Sequence, residues 1–280
     1  MPSASHIATW GLLPITLGAV YLYLLERRIA RATTLSSGRR AHRPSAAASS
    51  SSAAAAAAET PPLPLSLPQD VASDPSTWVL AYERAVSNPV PARRVSQHQQ
   101  QQQQPKSLDA KSSAGKREAS PLLRAYARTV QSAFSWTPQA FAIRASIPEP
   151  AIRRSFDAAW IQNLAFDEGD LVNGVYKVKY RGPGHAPGSE RVELVIEAPP
   201  WTGPEVRGII VAEVRGGAET EAEAEAKAAR QVVFVNETWL WRREGEKATM
   251  LETAVGKWFH GLLAGWLVMR GIAGVTTVKG

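Results

Sequence analysis

Four strand-like segments follow one another between residues 171 and 242, joined by short connections. They are residues 171–180, 191–198, 206–214 and 231–242. Residues 182–188 read GPGHAPG and residues 199–204 read PPWTGP, both turn-forming. The last link carries ETEAEAEAKAA at 219–229, an acidic insertion read as a solvated hairpin tip. Links of this kind make antiparallel neighbours, so the simplest topology is a four-stranded meander. In the second segment Val192, Leu194 and Ile196 alternate with Arg191, Glu193 and Glu197. That two-residue period predicts one face on the core and the charged face in water.

Helical periodicity brackets these strands. Ser120-Pro121 is a helix start, with Pro at the first position. Leu122, Leu123, Tyr126, Val130 and Phe134 follow at helical spacing. Pro148 to Leu164 reads as a second helix. Residues 249–272 make a closing helix that is apolar nearly all round, which predicts burial against the sheet. Gly261 and Gly265, four apart on it, invite close backbone approach. The fold class is therefore α+β over residues 119–280: N-terminal helices, four antiparallel strands, and a long C-terminal helix on the sheet.

The first 118 residues read differently. After a short segment, 1–6, residues 7–25 carry no charge and are long enough to cross a bilayer as a helix. Arg27, Arg28, Arg31, Arg39, Arg40 and Arg43 follow it, which by the positive-inside rule leaves the rest of the chain facing the cytosol. The expectation is a single-pass anchor contacting membrane lipid, at the endoplasmic reticulum or, as the alternative, the mitochondrial inner membrane. Residues 26–118 read as a basic, low-complexity tether with an Ala/Ser tract, PPLPLSLP and a Gln run. Within it Trp78, Val79, Tyr82 and Val86 predict a short helix at 76–87. Residues 74–88 then either dock on the folded part or recruit a protein partner.

Charge and composition exclude several chemistries. Residues 1–118 hold 13 Lys and Arg against 7 Asp and Glu, while residues 119–280 hold 19 against 18. The basic excess is not on the folded module, which argues against nucleic-acid binding. There is no Cys, so thiol catalysis and thiolate metal sites are excluded. No HExxH or similar spacing predicts a metal, and no Walker A or GxGxxG loop predicts a nucleotide. No cofactor is expected.

In element order the module resembles the NTF2-like (SnoaL-like) and helix-grip families, whose curved sheet and helix enclose an apolar pocket. It departs from NTF2-like chains by ending in a helix. FVNETWLWRREGEK followed by WFHGLLAGWL is similar to small membrane-anchored proteins of fungal natural-product gene clusters. That resemblance implies work on an apolar metabolite such as a polyketide.

The densest chemistry lies at 232–247. On a strand Glu237, Trp239 and Trp241 share one face, and Asn236 and Thr238 share the other. With the first face inward, Glu237 becomes a desolvated acid or base; with the second inward, Glu237 is exposed and Asn236 is the pocket polar group, and the two readings exclude each other. His260 on the closing helix is its candidate partner, and Asn236 the candidate polar donor. Tyr176, Trp239, Trp241, Trp258, Trp266 and Asp157 are the candidate pocket residues. Two functions remain open: a membrane-anchored, cofactor-independent isomerase, cyclase or dehydratase of an apolar metabolite, or a non-catalytic membrane-tethered lipid-binding or assembly module.

Overall fold

The computed structural model describes residues 4–40, 60–95, 120–197, 206–216 and 231–276. Among them the class is α+β, and the sheet is larger than the meander expected. It has eight antiparallel strands: β1 (Thr33–Arg40), β2 (Trp78–Ser87), β3 (Val90–Pro91), β4 (Leu171–Val172), β5 (Tyr176–Pro183), β6 (Ser189–Ile196), β7 (Arg207–Arg215) and β8 (Gln231–Arg243). Their order is β1-β2-β8-β7-β6-β5-β4, with β3 paired to β8 beyond the end of β2.

The helices are α1 (Ala4–Ala32), α2 (Gln69–Ser73), α3 (Ala92–Val95), α4 (Pro121–Phe134), α5 (Pro138–Ser146), α6 (Pro150–Arg153), α7 (Ala158–Asn163) and α8 (Ala254–Val275). Ser120 caps α4, its hydroxyl accepting from the Leu123 N–H at 3.2 Å. The single helix expected over 148–164 is instead α6, a 3₁₀ turn at Arg154–Phe156, and α7.

The meander β5 to β8 is legible in the sequence, but two of its neighbours are not. The helix expected at 76–87 is strand β2, inserted between β1 and β8. Trp78, Val79, Tyr82 and Val86 fit a helical stripe only because both faces of β2 are covered, and a doubly covered strand shows no alternation. Residues 78–87, within the segment expected to dock or recruit a partner, are thus built into the sheet. Part of the expected tether is likewise fold: Arg39 and Arg40 end β1, and residues 60–73 strap across the sheet. The Ala/Ser tract, the Gln run and the acidic insertion lie outside the described residues.

The membrane anchor is corrected too. Among the described residues no helix is long and apolar enough to cross a membrane. Residues 7–25 belong to α1, a 29-residue helix whose far end is built into the domain. Ile29 is 1% exposed, and a Cβ on Gly265 of α8 would collide with its side chain. The placement at the endoplasmic reticulum or mitochondrial inner membrane rested on that run, and it falls with the anchor.

The sheet is covered on both sides. One face packs on α4 and α8 around Tyr126, Phe134, Tyr176, Leu194 and Phe234. The other carries Trp78, Leu80, Tyr82, Ile209, Val211, Trp239 and Trp241 beneath the strap. The strap is pinned by Glu193, which accepts from the N–H groups of Leu65 (2.9 Å) and Ser66 (2.7 Å). Arg191 and Glu193, expected in water, are therefore fully buried.

Candidate functional site

Antiparallel pairing of β2 with β8 sets Glu83 opposite Thr238 and Ala85 opposite Asn236, on the face below α8. Gly261 of that helix faces Leu35 and Glu83 with room for a methyl group. A Cβ there would stand 3.6 Å from Leu35 and 3.7 Å from Oε2 of Glu83. The helix brings Nδ1 of His260 to 2.8 Å from Oε1 of Glu83. The Glu83 side chain is 2% exposed and that of His260 11%. Glu83 Oε2 is buried without a hydrogen-bond partner among the described residues.

An ionised carboxylate can only accept, so Glu83 holds the proton of the neutral imidazole on Nδ1 and leaves the lone pair on Nε2. No hydrogen bond to Nε2 forms among the described residues. A buried carboxylate orienting a partly exposed histidine is an arrangement suited to general acid–base work.

Two cavities meet at this histidine. The outer one is an apolar groove of about 450 Å³ between α1, the start of α5 and α8, walled by Tyr21, Leu25, Trp136, Phe259, Leu262 and Trp266. The inner one is a recess of about 40 Å³ against the sheet, lined by polar Gln131, Tyr176, Asn236 and Thr238 together with Phe134 and Ile210. Gln139, His260 and Leu263 line both. The Tyr126 hydroxyl donates to Oδ1 of Asn236 at 2.9 Å. Burial pushes the hydroxyls of Tyr126 and Tyr176 well above the usual tyrosine range, so both keep their protons.

The expected site residues divide between the faces. His260, Asn236, Tyr176 and Trp266 come together around the two cavities. Glu237 does not join them: it is on the opposite face, within an ion cluster. Arg84 Nε lies 3.2 Å and Arg191 Nη2 3.4 Å from its carboxylate, and the Trp239 indole donates to it at 3.0 Å. Arg191 also reaches Glu193 at 3.1 Å and Glu213 at 3.6 Å. The Arg84 and Arg191 Nε contacts are ion pairs by distance, without hydrogen-bond alignment. Desolvation lowers the Arg84 pKa, and Glu237 opposes that shift.

Trp239 stacks on Tyr82 with ring centroids 5.2 Å apart, and it lies with Trp241 beneath the strap. Trp258 is 40% exposed, edge-on to Phe259, and outside both cavities. Asp157 is a surface residue paired with Arg144 at 3.1 Å. It lines neither cavity.

Glu83, Gln131 and Tyr126 are not among the site residues expected from the sequence. The first has a usable signal: in Val79-Leu80-Ala81-Tyr82-Glu83-Arg84-Ala85 the odd positions are small or apolar except Glu83. Read with a period of two, that places one carboxylate on a core face. Among the described residues no group of three or more His, Asp or Glu could hold a metal ion.

Comparison of the chain with protein-family models, with curated proteins and with solved structures finds no match in any of the three.

Proposed function

We propose that the protein is a cofactor-independent proton-transfer catalyst for a small apolar metabolite, of the isomerase, cyclase or dehydratase type. One observation carries this reading: the Glu83–His260 pair stands at the foot of an apolar groove of about 450 Å³, a volume that takes a metabolite of a few rings. Apolar walls favour an uncharged hydrocarbon body. A bound apolar body would displace water from the partly exposed imidazole, which strengthens any electrostatic interaction formed beside it. Nε2 serves as the base, the imidazolium formed is stabilised by Glu83, and the same proton is returned at another atom of the substrate.

The proposal can be tested while the metabolite is still unidentified, by incubating the protein in D2O with an apolar extract of the cells that make it. Mass spectrometry then reads deuterium gained by each component. At least one component should gain deuterium with the wild-type protein and none with His260→Ala. A wild-type protein that retains an extract component through gel filtration but labels none would be a binding module, the other function considered. A protein that neither labels nor retains any component would leave the groove without a role.

A further inference from the structure

We infer that the group acted on is a carbonyl bearing an α-hydrogen, and that its oxygen is received in the inner recess by the side-chain amides of Asn236 and Gln131. This rests on the proton-transfer reading above and adds the substrate class to it.

The orientation of the two amides comes from their buried partners. Tyr126 is wholly buried and still protonated, and Asn236 Oδ1 is the acceptor for its hydroxyl, at 2.9 Å. With Oδ1 engaged, the end of Asn236 left for the recess is Nδ2, a donor. Gln131 is set in the same way. The Asn173 Nδ2 group donates both to the backbone carbonyl of Gln131 at 3.2 Å and to its Oε1 at 2.8 Å. A carbonyl oxygen can only accept, so the Asn173 group facing it is the NH₂. The Gln131 atom facing that NH₂ is therefore Oε1, and Nε2 is left over.

Both amides thus turn donors toward a recess of about 40 Å³, room for one oxygen-sized group. A carboxylate head is disfavoured, because Glu83 neighbours Thr238 across the strands. A neutral carbonyl oxygen satisfies the donors, with the apolar body in the outer groove and the adjacent carbon beside His260.

The chemistry balances without another reagent. His260 Nε2 takes the α-proton, and the C–H electron pair becomes the carbon–carbon double bond of an enolate. The carbonyl π pair moves onto oxygen, where the two amide donors are aimed at the charge that develops. Where a β,γ double bond adjoins the α-carbon, the enolate is a dienolate, and return of the proton from the imidazolium to the γ-carbon moves the double bond into conjugation and completes an isomerisation. Tyr126 and Asn173 act through the amides and are positioning residues.

The experiment is calorimetric titration of the full chain with 2-tetralone and with tetralin, which differ by the carbonyl. The wild-type protein should bind 2-tetralone about tenfold more tightly than tetralin, the worth of one good buried hydrogen bond. Asn236→Leu should lower that preference severalfold, Gln131 remaining as a donor, and leave tetralin binding intact. Tyr126→Phe keeps the ring and frees the Asn236 amide to rotate, so it should reduce the preference even if Asn236→Leu does not fold. A merely structural role for Tyr126 would weaken both compounds equally. Equal binding of the two compounds by wild type would overturn the carbonyl inference and leave the groove reading standing. Binding of neither would overturn both.

Discussion

Glu83 Oε1 and His260 Nδ1 are 2.8 Å apart in the fold and 177 residues apart in the chain. The contact joins a strand in the first third of the sequence to the closing helix, across the face that β8 shares with them. It defines both ring nitrogens: one is committed to the carboxylate, the other is open to the cavities. The second carboxylate oxygen has no hydrogen-bond partner among the described residues.

Glu83→Gln separates the two roles. The amide keeps the shape but ceases to be a charged acceptor for Nδ1–H and no longer stabilises an imidazolium. Solvent-deuterium transfer should fall about 10²–10⁴-fold. Thermal stability should stay within about 1 kcal/mol of wild type or rise, because the variant removes a buried charge while keeping a polar group of the same size in its place. A marked loss of stability in urea denaturation would show that Glu83 is a structural ion-pair residue.

Arg191→Met tests the opposite face. Among the described residues Arg191 is the cation that reaches all three of Glu193, Glu213 and Glu237. Its removal leaves carboxylates buried with too little compensation, which should cost about 3–5 kcal/mol. Urea denaturation gives the number. Because the cluster and the His260 cavities lie on different faces, the protein that remains folded should transfer deuterium at the wild-type rate.

Gly265→Ala tests the junction of α1 with α8. The new methyl would run into Ile29 and approach Thr33 Oγ1 at 3.4 Å. Overpacking of this kind should cost about 1–3 kcal/mol. Ile29→Ala in the same chain makes room, so the double variant should be more stable than the sum of the two single losses implies. Additive melting data would mean that α1 does not bear on Gly265 in solution.

Glu252 gives a pH dependence. Its hydrogen bond to Arg242 holds its carboxyl below the usual value of 4.5, with a backbone bond from Thr249 acting in the same sense. A group whose folded pKa is depressed contributes stability above its unfolded pKa and loses it as the pH falls through the folded one. The melting-temperature difference between wild type and Glu252→Gln should therefore be constant above about pH 5.5. It should shrink below 4.5 as the wild-type carboxyl protonates. A difference that persists unchanged at pH 3 would contradict the ion pair.

Much of the sheet can be read from local pattern. Residues 231–242 alternate so that Glu237 and Asn236 must face opposite ways, and they do. Which face is inward could not be read for a physical reason: both are. The strap over Trp239 and Trp241, and α4 and α8 over Asn236 and Thr238, bury the two faces alike. A weighing of apolar residues could not choose between them. Arg191 and Glu193 mislead in the same way, since a buried neutralised ion cluster has the sequence pattern of a solvated face. The anchor reading fails because an uncharged run is a property of composition. It does not report that the same helix carries Ile29 into the domain.

By itself the sequence determined the elements whose signals are local. These are the capped start of α4, the strands β5 to β8 between their turns, and the apolar closing helix. It also determined that His260 is the histidine of that helix, beside Lys257 and Arg270. Only the tertiary structure decided the partners. That β2 enters the sheet beside β8, that Glu83 and not Glu237 meets His260, and that Tyr126 and Asn173 orient two amides into one recess all depend on packing between distant segments. Such contacts arise from covering apolar faces that several segments could cover equally well. No periodicity within any one of them records which did.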